Sequence, residues 1–162
     1  MTNPTTITAE PGVPFVDIVR ELDAPIDLVF RAYADPELIA QWLGPRKYTT
    51  DVTEWNFADG GAWAYSSSGA NGENYGFRGS FHSIEPGVRI VQTFEFLGAP
   101  GHVSLESAVF DDLGGGRTRV TGHSVFQSVE ARDAMVEHGM SGGVIEGYER
   151  LDELLARESS SV

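Results

Sequence analysis

The sequence predicts an α+β domain whose helices gather on one face of an antiparallel sheet. Three observations carry this. Six segments of strand character follow one another near 48–57, 61–67, 74–84, 88–97, 103–111 and 117–126, joined by short links that suit antiparallel neighbours. Helix signals lie outside that block, on either side of it. The terminal one carries Met140, Val144, Gly147, Tyr148, Leu151, Leu154 and Leu155 at three- and four-residue spacing, a stripe able to cover an apolar sheet face.

Each element has its own local reason. Residues 1–12 are polar, contain Pro4 and Pro11, and read as a flexible N-terminal arm. Phe15 to Leu22 reads as a strand. Asp23-Ala24-Pro25 breaks it, and a proline in the first turn suits the start of a helix bearing Leu28, Val29, Ala32 and Tyr33. A second short helix from Pro36 to Trp42 stops at Gly44-Pro45. Turn-forming runs separate the six strands: Asp59-Gly60-Gly61, Gly69-Ala70-Asn71-Gly72, Glu85-Pro86-Gly87, Gly98-Ala99-Pro100-Gly101 and Gly114-Gly115-Gly116. Ser128 can cap a helical stretch from Val129, Gly139 interrupts it, and a longer helix runs from about Met140 to Arg157. The tail, 159–162, is expected to be disordered, which leaves 13–158 as a single domain.

Alternation along the strands sorts side chains by face. The apolar sets are Trp63 and Tyr65; Tyr75, Phe77, Gly79 and Phe81; Ile90, Gln92, Phe94 and Phe96; Val103, Leu105, Ser107 and Val109; and Val120, Gly122, Ser124 and Phe126. Strand 48–57 is ambiguous, because Val52 falls on the opposite parity to Trp55 and Phe57. Arg20 falls on the apolar side of the first strand, as an amphipathic side chain with its tip in water. On the same logic Asp17, His82, Glu95, Glu106 and His123 face solvent. Gly79, Gly122 and Gly147 leave the middle of the inward face without side chains. Gly147 also costs its helix about 1 kcal/mol relative to Ala, which suggests that space is needed there.

Composition narrows the function classes. The 162 residues include 24 Asp and Glu against 11 Lys and Arg, a net charge of -13, which disfavours phosphate backbones and anionic membrane surfaces. There is no cysteine, so thiolate metal sites, disulfides and cysteine nucleophiles are absent. No apolar run approaches the roughly 18 residues of a membrane helix, and no signal-peptide pattern opens the chain, so a cytoplasmic location is expected. The four histidines are spaced without any H-x-H or H-x-x-x-H pair, so no metal and no cofactor are expected. Gly139-Met140-Ser141-Gly142-Gly143 spells a nucleophile elbow, but a helix rather than a strand precedes it, and every histidine precedes Ser141.

Several words stand in a fixed order: Ala24-Pro25 with Val29, Phe30 and Tyr33; Asp35-Pro36 to Trp42-Leu43-Gly44-Pro45; Gly60-Gly61-Ala62-Trp63-Ala64-Tyr65; and Gly147-Tyr148-Glu149-Arg150-Leu151-Asp152-Glu153-Leu154-Leu155. Over about 14–157 this order resembles the START-like SRPBCC superfamily, in the branch related to the Hsp90 ATPase activator, often labelled polyketide cyclase-like. The resemblance implies the helix-grip fold, a curved sheet wrapped around a long C-terminal helix, in the order β-α-α-β6-α. It also implies a small apolar or aromatic ligand held between them. The expected lining is Trp63, Tyr65, Tyr75, Phe77, Phe81, Gln92, Phe94, Phe96, Leu105, Ser107, Ser124, Met140, Val144, Gly147, Tyr148 and Leu151. Its polar handles are Gln92, Ser107, Ser124 and the hydroxyls of Tyr65 and Tyr75. Two alternatives stay open: a cyclase or dehydratase of the same fold, and a protein-interaction module like the Hsp90 activator. A protonatable side chain inside the cavity would favour the enzyme. A homodimer is expected, with Val91, Leu97 and Val125 on the outward face.

Overall fold

The computed structural model describes residues 3–160. Eight antiparallel strands form one sheet: β1 (Thr5–Thr8), β2 (Phe15–Leu22), β3 (Tyr48–Trp55), β4 (Ala62–Gly69), β5 (Asn74–Glu85), β6 (Arg89–Phe96), β7 (Val103–Gly114) and β8 (Arg117–Val125), in the spatial order β1-β2-β8-β7-β6-β5-β4-β3. The helices are α1 (Ile26–Ala34), α2 (Pro36–Ile39), α3 (Val129–Glu137) and α4 (Met140–Ser160). The sheet and long C-terminal helix give the helix-grip α+β fold expected from the sequence. No helix among the described residues is long and apolar enough to cross a membrane.

The arm is the first correction. Thr5–Thr8 is not loose but forms an edge strand, with Thr5 opposite Arg20 and Thr8 opposite Asp17. Its Thr-Thr-Ile-Thr run is β-branched throughout and suits a pleated edge. Arg132, buried on α3, donates to the Glu10 and Phe15 carbonyls and holds the connection down. Residues 1–2 lie outside the described part. At the other end α4 continues through Ser160, so Ser159 is helical rather than disordered; residues 161–162 of the expected tail lie outside the described residues.

Helix boundaries follow their caps. The Asp35 carboxylate accepts from the Glu37 amide at the start of α2, and the Ser128 hydroxyl accepts from the Ala131 amide at the start of α3. Gly139, at φ +80°, separates α3 from α4 in a conformation that other residues rarely adopt. The ambiguity of β3 resolves into a bulge: Val52 pairs with Tyr65 but Glu54 pairs with Ala64, so Thr53 is extra. Val52 and Trp55 therefore both pack against the core despite their opposite parity.

Leu151, Leu154 and Leu155 of α4 are buried with Leu22, Val29, Ala32 and Phe110. Each such aliphatic side chain contributes about 1.5–3 kcal/mol through burial. Two indoles fix α1 over the sheet: Trp42 donates to the Ala32 carbonyl at 3.0 Å and Trp55 to the Ala34 carbonyl at 2.7 Å. Arg20 is a second correction. It is only 1% exposed, its guanidinium forms a forked pair with Asp152, and it donates to Thr5 Oγ1 and the Glu21 carbonyl. It thus ties α4 to β2 rather than reaching water.

Candidate functional site

A cavity of about 340 Å³, partly open to solvent, lies between the sheet and α4. Cross-strand register builds its floor. Gln92 stands opposite Glu106, and Glu106 opposite Ser124; Phe94 stands opposite Ser104; Ile90 stands opposite Ala108, which faces Gly122, which in turn faces Ile18. Trp63 and Tyr65 of β4 extend this floor, stacked 5.5 Å apart, with Phe94 5.9 Å from Trp63. The roof is Met140, Gly143, Val144, Gly147 and Tyr148 of α4, with Met135 of α3. Trp42, Leu43 and Gly44 close one end.

Nine expected residues are on this wall: Trp63, Tyr65, Gln92, Phe94, Ser107, Met140, Val144, Gly147 and Tyr148. Ser107 borders the cavity, although its register partners Val91 and His123 put its side chain on the outer face. The other seven are elsewhere. Phe81 and Leu151 are buried in the core, where Phe81 packs edge-on against Trp55 at 5.2 Å. Phe77 and Phe96 pack on each other at 5.3 Å. Tyr75 is 37% exposed at the strand end, beside Tyr48. Ser124 shares the inward face with Glu106 and donates to its carboxylate, but does not itself line the cavity. Leu105 is 50% exposed and points outward.

Leu105 reveals an inverted reading of β7. The inward set is Ser104, Glu106, Ala108 and Phe110, not Val103, Leu105, Ser107 and Val109. The strand misleads because its cavity-facing residues are polar or small while aliphatic ones stand outside. One signal was present: Phe110, the aromatic residue of this strand, shares parity with Glu106. Glu106 therefore faces the cavity rather than solvent. The outward placement of Asp17 and His123 stands; they meet each other, and Phe15 lies 4.9 Å from the His123 ring.

Glu106 dominates the electrostatics. It is part-buried and lines the cavity, and burial pushes its carboxyl from 4.5 up to about 7 against a smaller lowering by the Ser124 hydroxyl, which donates at 3.2 Å. Among the described residues no Lys, Arg or His pairs with it. Its charge reaches the neighbouring phenols. Burial first, and Glu106 second, push the Tyr65 hydroxyl up. Tyr148 is also raised by burial, with a smaller push from Glu106, while the Tyr33 hydrogen bond and Arg20 oppose the rise. The Tyr33 hydroxyl donates to that of Tyr148 at 3.4 Å, and burial raises Tyr33 well above the ordinary phenol range. The Arg20 guanidinium lies 5.8 Å from the Tyr148 ring centre. The site thus offers an aromatic bed, buried hydroxyls and one carboxyl that changes charge near neutrality.

The glycines divide. An added Cβ at Gly79 would sit 2.0 Å from the Thr93 carbonyl oxygen and 2.7 Å from the Trp63 ring, so this glycine lets the indole lie flat on the strand. At Gly147 it would meet the Trp42 carbonyl at 3.2 Å and the Gly44 amide at 3.5 Å. Gly147 lets α4 approach the 42–44 backbone, and the expectation that it leaves room for a ligand does not hold. Arg150 reinforces that approach by donating to the Gly44 carbonyl at 3.0 Å. Of these three inward glycines, Gly122 is the one where a Cβ would find ordinary contacts, the nearest at 3.7 Å.

Comparison with known proteins follows the same outline. Residues 23–156 match the family model described as Activator of Hsp90 ATPase homolog 1-like protein. A solution structure of a protein from Arthrobacter aurescens is 28% identical, with a TM-score of 0.86, covering 94% of this chain and 91% of that one. A protein from Rhodobacter sphaeroides is 23% identical with a TM-score of 0.86, covering 95% and 99%. An AHSA1 protein from Silicibacter pomeroyi shares the fold at 18% identity, with a TM-score of 0.72 and coverage of 89% and 99%. No curated protein matches the chain.

Proposed function

Because the chain belongs to the family of Activator of Hsp90 ATPase homolog 1-like proteins, whose fold suits either ligand binding or an Hsp90-activator-like role, we propose that it binds a small aromatic molecule between the sheet and α4. The observation that carries this reading is the cavity of about 340 Å³, walled by Trp63, Tyr65, Phe94 and Tyr148 around few polar groups. Its size and composition match small-molecule sites in general. Native mass spectrometry of freshly purified protein is expected to reveal a co-purified small molecule. Titration with Nile red, a neutral hydrophobic dye, is expected to show saturable binding that falls about tenfold or more in Gly122→Val, whose side chain would enter the cavity. Unchanged dye affinity in that variant, with nothing co-purified, would sink the reading.

Glu106 favours a second reading, an acid–base enzyme of the cyclase or dehydratase type. A carboxyl that titrates near neutrality suits proton transfer at physiological pH. Turnover of a polyketide-like carbonyl compound that vanishes in Glu106→Gln, with binding retained, would establish it. Self-association is proposed through the outer sheet face, where Leu97 and Leu105 are exposed; a monomer at high micromolar concentration in light scattering would remove that proposal.

A further inference from the structure

We infer that the cavity selects aromatic amines, bound as ammonium ions with the charged nitrogen on Glu106 and the ring system on the bed of Trp63, Tyr65 and Phe94. This rests on the cavity being a ligand site. Three observations identify the class. First, Glu106 is on the wall and, among the described residues, has only the neutral Ser124 hydroxyl as partner. Arg20, the guanidinium beside the Tyr148 ring, is already committed to Asp152. An ionised carboxylate in such a place needs donors, and a ligand ammonium supplies both donors and the missing countercharge. Second, the adjacent side chains present π faces, which attract cations and disfavour anions. Third, the chain carries a net charge of -13, so cations concentrate at its surface and anionic ligands are repelled.

The groups around Glu106 do not compete for this role. Gln92 on β6 and Ser124 on β8 do not titrate and stand opposite it in register. Tyr65 on β4 and Tyr148 on α4 are held neutral by burial. Near neutrality, proton gain or loss at this wall is therefore that of Glu106. Ammonium binding requires its ionised form, so affinity rises with pH through about 7 and levels off above it. It falls again only when the ligand amine itself loses its proton.

A matched pair of probes tests this: 2-naphthylmethylamine and 2-naphthylmethanol, which share an aromatic body and differ in charge. In calorimetric titrations at pH 8 the amine is expected to bind about tenfold or more tightly than the alcohol, as a charge-assisted hydrogen bond in a desolvated site implies. That preference is expected to shrink to within about threefold at pH 5.5, and in Glu106→Gln at either pH. Ser124→Ala removes the donor that lowers the carboxyl, so it is expected to move the midpoint of amine binding to higher pH while keeping the preference above it. Equal affinity for both probes in the wild type, or a preference that survives in Glu106→Gln, overturns the assignment. Alcohol binding without amine preference does so while sparing the cavity reading. Binding of neither probe removes both.

Discussion

Replacing Glu106 by Gln should change how the protein's stability depends on pH, in a direction that distinguishes a buried carboxyl from a surface one. In the folded chain burial raises the carboxyl from 4.5 to about 7. Between those values the folded state holds a proton that the unfolded state has released, so stability falls as pH rises. The penalty is absent below about pH 4.5, grows through the interval and is complete above about pH 7. Full separation of the two values is worth about 3 kcal/mol, and water entering the partly open cavity lowers this to about 2 kcal/mol. Glutamine keeps the shape without the charge. Relative to wild type, Glu106→Gln should gain nothing at pH 4.5 and about 2–3 kcal/mol at pH 8, or roughly 5–10 °C in Tm for a domain of this size. Thermal melts of both proteins across pH 4.5 to 8.5, followed by circular dichroism in the absence of ligand, measure the difference. Parallel Tm curves would mean that Glu106 is solvated or paired, and the electrostatic account of the cavity would fail with it.

Other expectations concern how α4 is held. Gly147→Leu should lower stability by about 1–3 kcal/mol through overpacking, because its Cβ points at the Trp42 carbonyl and the Gly44 amide; a raised Tm would show that the 42–44 segment yields instead. Asp152→Ala leaves the Arg20 charge buried without its partner and should cost about 3 kcal/mol or more, measured by urea unfolding at pH 7. Gly79→Ala forces the Trp63 ring and the Thr93 carbonyl apart and should lower both Tm and Nile red binding; an unaltered indole fluorescence spectrum would count against that contact.

The fold was legible because its signals are local. Asp35, Ser128 and Gly139 place helix boundaries through their own side chains or backbone, and glycine-rich runs separate strands without reference to the rest of the molecule. The cavity was only partly legible, because a wall residue is defined by what faces it across the domain. Alternation finds the inward face of β4, β6 and β8, where aromatic or aliphatic side chains mark it, although Glu95 on the other side of β6 is buried rather than solvent-facing, accepting from Arg78 and from the Gly101 amide. It fails twice, for different physical reasons. In β3 the bulge at Thr53 adds a residue, so no fixed period describes the strand. In β7 the period holds but hydrophobicity points the wrong way: Ser104 and Glu106 face inward to border a cavity, while Leu105 and Val103 are left outside. A strand that lines a polar spot in an apolar cavity inverts the usual pattern at the functional position itself. Strict alternation extended inward from Phe110, across the register shared with Gln92 and Ser124, puts Glu106 on the wall from pairing alone. The residue that the hydrophobic pattern sends to the surface is the one whose charge gives the cavity its chemistry.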